Sequence, residues 1–160
     1  MTLETLELAL KRLNSPDFID RLIIDAVEIH KADLINLIKG QISVGVKGDG
    51  SRTLKYVDDG SSYNPNYYVA KVKRTPAKQM PYRNYENTGN FLREVDAIAK
   101  DTSIFISSDA TFVGSNENIN TVVEELEGNE FFGLTDENKP EFAKIWIPTF
   151  VKLMKNEIYK

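Results

Sequence analysis

The stretch YENTGNFLREVDAIAKDTSIFISSD, residues 85–109, decides the fold of this chain. Thr88-Gly89 supplies a turn, because glycine reaches positive φ at little cost, and Asn90-Phe91-Leu92 then restarts ordered structure. Residues 103–107, SIFIS, are β-branched and aromatic, and polar Ser108-Asp109 closes the run. We therefore expect the core of a small antiparallel sheet here.

Two patterns compete for residues 91–99. Helical spacing links Phe91, Leu92, Val95, Ile98 and Ala99, whereas alternation as in a strand links Val95, Ala97 and Ala99. Lys100-Asp101-Thr102 is placed to turn the chain into the next strand. We favour one helical turn near 90–94, followed by a hairpin of about 95–99 and 103–108.

The chain before this stretch predicts helices. Leu3, Leu6, Leu10 and Leu13 lie on one helical face, and Asn14-Ser15-Pro16 ends this first helix and starts another. A broad apolar stripe predicts that the second helix runs without interruption from about 16 to 43. From Gly45 to Met80 the periodic pattern is lost, and Gly48-Asp49-Gly50 is typical of a turn.

The chain after the hairpin predicts two more helices. The first covers about 116–127, and the second covers about 136–158. Phe131-Phe132-Gly133 forms a compact apolar plug between them. The whole predicts one α+β domain over residues 1–160, in which helix two and the last helix cover one face of the sheet. Its parts are helices in 1–44, a basic excursion in 45–87 rich in tyrosine and glycine, the hairpin core in 88–109, and helices in 115–160.

The composition offers little chemistry. The chain has no cysteine and one histidine, His30, which lies on or beside an apolar stripe and is expected to be a satisfied, half-buried residue. Four glutamates near residues 124–130 are expected on an exposed helix face. We predict no enzyme activity, no catalytic residue, no cofactor and no metal site. No apolar run approaches the length that crosses a bilayer, so we expect a soluble chain without a membrane partner.

Charge and tyrosine are unevenly distributed. Residues 46–83 carry eight basic and three acidic side chains, whereas residues 84–141 carry three basic and thirteen acidic ones. These blocks are either solvated faces or complementary surfaces of identical copies. Six of the seven tyrosines fall in or beside the basic segment: Tyr56, Tyr63, Tyr67, Tyr68, Tyr82 and Tyr85. They are candidates for packing on their own domain, for a subunit interface, or for stacking on nucleic-acid bases.

The order of these parts resembles the head–tail joining and tail-completion proteins of tailed bacteriophages, with their relatives in prophages and mobile elements. The matching pieces are Thr88-Gly89-Asn90-Phe91-Leu92, the hairpin ending at Asp109, Glu130-Phe131-Phe132-Gly133-Leu134, and the helix around Ile147-Pro148. The family-motif residues are Thr88, Gly89, Leu92, Phe131, Phe132 and Gly133. Together the pieces cover about half of the chain.

This resemblance implies a structural virion protein, made in the host cytoplasm, that forms a ring in the neck beside other neck or tail proteins. Candidate subunit-interface residues are Tyr56, Tyr63, Tyr67, Tyr68 and Phe131. The alternative is a nucleic-acid-binding protein that uses the basic segment 46–85. We expect no such binding, because the neighbouring acidic block repels phosphate.

Overall fold

The computed structural model describes residues 3–54, 82, 85, 90–100, 103–109, 119–128 and 130–158, and it has an α+β fold. Its elements, in chain order, are α1 (Leu3–Leu13), α2 (Pro16–Ile29), α3 (Lys31–Ser43), the one-turn helix α4 (Asn90–Arg93), β1 (Val95–Lys100), β2 (Ser103–Ser108), α5 (Ile119–Glu127) and α6 (Asn138–Ile158). No helix in these ranges combines the length and apolarity needed to cross a bilayer.

The predicted long second helix is wrong in one respect, because it breaks at His30. The backbone there leaves helical geometry, with φ −106° and ψ 19°, and α3 begins at the next residue. Neither glycine nor proline marks this position, and the apolar spacing continues across it. The side chain of His30 contacts Thr149 on α6 and Asp33 on α3, so tertiary contacts accompany the break.

The hairpin prediction is confirmed. β1 and β2 pair antiparallel, with Val95 opposite Ser108 and Lys100 opposite Ser103, and the preceding helical turn covers Asn90–Arg93. Val95 and Ala97 are buried because alternate side chains of a strand point to the same face. This face of β1 packs on α2 and α3.

The last helix occupies a different place from the one predicted. We expected α6 on the sheet, but its main partner is α2, with further contacts to α3 and α1. The helices α2 and α3 therefore contact both the sheet and α6. The core formed at these contacts is apolar, and it contains Val27, Leu34, Ile38, Ile42, Phe91, Val95, Ala97, Val123, Phe131 and Phe142.

The described start of the predicted excursion is packed against the protein body. Gly50 donates its N–H to the carbonyl of Lys47, which confirms the turn expected at Gly48-Asp49-Gly50. Gly48 donates to the carbonyl of Phe131 at 2.9 Å, and Thr53 is buried. Residues 45–54 thus belong to the folded body, whereas residues 55–81 lie outside the described part of the chain.

We predict that Gly48→Ala destabilises the fold. A Cβ at this position would lie 2.7 Å from the carbonyl oxygen of Phe132 and 2.8 Å from Cα of Gly133. Both are backbone atoms, so the two segments must separate, at a cost of about 1–3 kcal/mol. Urea unfolding followed by circular dichroism measures this loss.

Gly40→Ala is the matched control. Gly40 lies inside α3, and outside the backbone of that helix its added Cβ would meet no heavy atom of the described residues within 4 Å. Because alanine favours helix over glycine, this variant should be about 0.5–1 kcal/mol more stable. Equal stability of the Gly48→Ala variant and the unaltered chain would contradict the proposed close packing.

Candidate interaction surface

Several residues singled out from the sequence lie outside the described part of the chain. They are the interface candidates Tyr56, Tyr63, Tyr67 and Tyr68, and the motif residues Thr88 and Gly89. The structure describes the remaining candidates, Leu92, Phe131, Phe132 and Gly133. Phe131 is part of the apolar core, and Leu92 and Phe132 pack against it.

Phe131 is fully buried, with an exposed fraction of 0%. Its ring centroid lies 5.0 Å from that of Phe132, 5.1 Å from that of Tyr85 and 6.0 Å from that of Phe91. These distances suit favourable aromatic contacts. A ring enclosed in this way offers no surface to a neighbouring subunit, so this placement removes Phe131 from the interface candidates and assigns it to the core.

Gly133 and Phe132 lie next to Phe131 and make further contacts with other segments of the chain. Gly133 has φ of 144°, a conformation that L-residues rarely adopt, and its backbone lies against Gly48. Phe132 stacks on Phe91 with centroids 5.9 Å apart. Gln41 on α3, also buried, donates its amide to the carbonyl of Gly133. The described motif residues therefore join the start of the hairpin region to the end of α3.

Glu127 corrects a prediction made from the sequence. We expected an exposed helix glutamate, but Glu127 is only 7% exposed. Its two carboxylate oxygens accept the N–H of Leu54 at 3.0 and 3.1 Å, and one of them accepts the hydroxyl of Tyr85 at 2.5 Å. The spacing of four residues from buried Val123 is the signal that places Glu127 on the inner face of α5.

The contacts of Glu127 are structural. Lys47 donates its ammonium group to the main-chain carbonyl of Glu127 at 3.0 Å, beside the bond from Leu54 to the carboxylate. Tyr85 has φ of 55°, which is uncommon for a residue with a Cβ, and its hydroxyl bond and ring contacts hold it there. A carboxylate engaged by these donors fastens three segments of the chain together.

The single histidine is satisfied and partly buried, as predicted. Nε2 of His30 lies 2.7 Å from the hydroxyl of Thr149, and Nδ1 lies 3.1 Å from a carboxylate oxygen of Asp33. Both ring nitrogens thus have a partner, which fits a structural role at the break between α2 and α3. In the described ranges, no three His, Asp or Glu side chains come together to hold a metal ion.

A partly exposed ion pair joins β1 to α3. Lys31 at the start of α3 lies 2.9 Å from a carboxylate oxygen of Asp96 on β1. The hydrogen bond from Lys31 is the main cause that lowers the pKa of Asp96 below its usual range. Because both side chains are partly exposed, water screens this pair, and it positions β1 more than it stabilises the fold.

The outer face of the hairpin carries two exposed apolar side chains on its paired strands. Ile98 and Phe105 stand directly opposite each other, and they are 57% and 60% exposed. Ile104 precedes Phe105 in β2, and its side chain, on the other face of the hairpin, is 39% exposed. We therefore take this face and the adjoining edge of β2 as the candidate interaction surface.

Comparisons of this chain with protein-family models, with curated proteins and with solved structures find no match.

We predict that Tyr85→Phe destabilises the fold by about 1.5–3 kcal/mol, the usual contribution of a hydrogen bond to a charged group. The change removes the hydroxyl that reaches Glu127 but keeps the ring that packs on Phe91 and Phe131. Chemical unfolding of the purified variant measures the effect.

Tyr82→Phe is the control for this change. The ring of Tyr82 lies under the guanidinium of Arg52, at 5.2 Å, and its hydroxyl has no partner among the described residues. Loss of that hydroxyl should change stability by less than about 0.5 kcal/mol. If both variants unfold at the same denaturant concentration, the Glu127 contact does not contribute as proposed.

Proposed function

We propose that this chain is a structural subunit without enzyme activity that assembles with copies of itself, in the manner of the neck and tail-completion proteins of tailed bacteriophages. The observation that carries the proposal is the uncovered apolar face formed by Ile98 and Phe105. Exposed apolar side chains that adjoin each other favour a protein contact, since water disfavours such a surface.

The position of this face supports the resemblance to neck proteins. The hairpin is one of the pieces on which the resemblance rests, and it follows Thr88-Gly89 in the sequence. Leu92 and Phe132, from two other pieces, pack against the same core as the hairpin. Pieces that are separate in the sequence therefore form one unit that presents the apolar face.

The second part of the proposal concerns the contact that joins neighbouring copies into a ring. A ring requires a heterologous contact, in which two different surfaces of neighbouring copies meet. The basic, tyrosine-rich segment 46–85 and the acidic segment 115–137 are complementary in charge, and they are our candidates for this contact. In this proposal the assembled ring belongs to the virion and contacts other neck or tail proteins.

Nucleic-acid binding is the weaker alternative. Two basic residues at the start of the basic segment are engaged within the chain, since Lys47 donates to the carbonyl of Glu127 and Arg52 donates to the carbonyl of Val44 at 2.9 Å. Phosphate contacts need lysine and arginine side chains that are free to reach the backbone of the nucleic acid. These two contacts weigh against that function.

We predict salt-sensitive assemblies larger than a dimer. Light scattering from low concentration to about 1 mM should show them at low salt, and raising the salt to about 1 M should weaken them, because the screening length falls from about 10 Å at 0.1 M to about 3 Å. The double variant Tyr67→Ala with Tyr68→Ala should reduce this assembly, because aromatic anchors supply most of the affinity of such contacts.

The contrary outcome is a chain that forms no such assembly under any of these conditions, and whose double variant still assembles normally on a purified connector ring. That result would remove the proposed heterologous contact. Micromolar binding of labelled single-stranded DNA that weakens steeply with salt would instead favour the nucleic-acid alternative.

A further inference from the structure

The outer edge of β2 carries backbone groups that point away from β1. In an antiparallel pair, residues alternate between those that exchange hydrogen bonds with the partner strand and those whose N–H and C=O point outward. Ser108 belongs to the outward set, because its N–H donates to the side-chain oxygen of Asn120 at 3.1 Å. Ile106 and Ile104, two and four residues earlier, therefore also point outward.

These outward groups are open to a further strand. The described sheet has two strands, and β1 lies on the other side of β2. Among the described residues, none bonds to the outward N–H or C=O of Ile104 or Ile106. The corresponding edge of β1 differs, because Glu28 on α2 accepts the N–H of Ala99 at 3.2 Å. The free edge is thus on β2, and Asn120 closes it at Ser108.

The sequence of this edge is complementary to itself. Residues 103–107 read SIFIS in both directions, with Phe105 at the centre. A second copy that runs antiparallel along this edge, centred on Phe105, places its Ile106 opposite Ile104. These are the residues whose outward backbone groups have no partner among the described residues, so each such pair can exchange both of its hydrogen bonds.

We propose that two copies of this chain pair through β2, centred on Phe105, to form a four-stranded antiparallel sheet. The contact is isologous, meaning that the same surface is used by both copies. It goes beyond the proposed ring and does not depend on it, because an isologous contact closes after two copies. The dimer is therefore the state of the free protein, and the ring needs its own, heterologous contact.

The side chains fit the same arrangement. Phe105 of each copy occupies the non-hydrogen-bonded position, where facing side chains come closest. Ile98 on β1 stands directly opposite Phe105 on the same face, so the two hairpins would form one continuous apolar row. On the opposite face, Ile104 of one copy packs on Ile106 of the other. Each apolar side chain of the edge thus gains an apolar neighbour.

A second copy fits this edge because β2 lacks the features that keep sheet edges apart. Natural edge strands are protected by lysine, proline, bulges or inward charges. Residues 103–108 contain no charged residue, no proline and no glycine, and their register with β1 is unbroken. An uncharged strand opposes an identical strand without repulsion, which favours a copy of the same chain.

Charge variants of Phe105 test the centre of the proposed dimer, where Phe105 of one copy faces Phe105 of the other. In Phe105→Lys two ammonium groups face each other at this position, and in Phe105→Glu two carboxylates do so. Each variant alone should be monomeric by light scattering, with a dissociation constant raised at least about tenfold, since like charges directly opposite destabilise a sheet. An equimolar mixture should form a mixed dimer, detected by native mass spectrometry.

Three further variants guard against misfolding and unspecific effects. Ile104→Pro removes one outward N–H that β1 does not use, so it should also give a monomer, whereas Ile104→Val should remain a dimer. Ile29→Lys replaces an equally exposed apolar residue, 61% exposed at the end of α2, and should not affect the dimer. Circular dichroism confirms that each variant is folded.

The results separate this proposal from the proposed ring. A wild-type chain that stays monomeric up to about 1 mM, or a mixture of the two charge variants that does not form dimers, overturns the β2 pairing. The Tyr67→Ala and Tyr68→Ala changes should leave the dimer intact while they reduce the larger assemblies. Loss of the larger assemblies with retention of the dimer would therefore leave this proposal standing and contradict only the ring.

Discussion

The structure depends on a close backbone contact between the turn at residues 47–50 and the segment at 131–133. The N–H of Gly48 bonds to the carbonyl of Phe131, and no side chain fits between Gly48 and Gly133. This contact fixes Phe131 inside the core, where full burial of such a ring contributes about 1.5–3 kcal/mol. It also fixes the end of α5 and the approach to α6, since both segments adjoin residues 131–133 in the chain.

Buried polar side chains make this contact possible, because buried donors and acceptors must be paired. Gln41 donates to the carbonyl of Gly133, and its amide oxygen accepts the N–H of Thr135 and the side-chain amide of Asn138. Glu127 satisfies the N–H of Leu54 in the same way. Each of these side chains joins segments far apart in sequence, so the polar groups define which loops meet while the apolar core supplies the driving force.

Local patterns predicted the local elements well. Alternation of Val95 and Ala97 with polar neighbours defined β1, and the turn chemistry of Gly48-Asp49-Gly50 was sufficient to place a turn. The break at His30 was missed because helix propensity and apolar spacing both continue through it, and the contact with Thr149 comes from the other end of the chain. The burial of Glu127 was missed for the same reason, since the donors that compensate its charge lie in other segments.

The sequence predicted the strand that carries the candidate interaction surface but not the exposure of that strand. The run SIFIS is typical both of a strand buried in a core and of a strand at the edge of a sheet, and only the positions of the neighbouring elements distinguish the two. In the structure β1 receives the helices, whereas β2 buries only Ser108 and leaves Phe105 and Ile104 in water. A hairpin of two strands is marginal by itself, and this one is held by the packing of β1 and by the bond from the Ser108 hydroxyl to the carbonyl of Phe91. Because those contacts already secure the hairpin, the exposed side chains of Phe105 and Ile104 are not needed to hold it, and the edge of β2 that carries them is available for the pairing with a second copy that we propose.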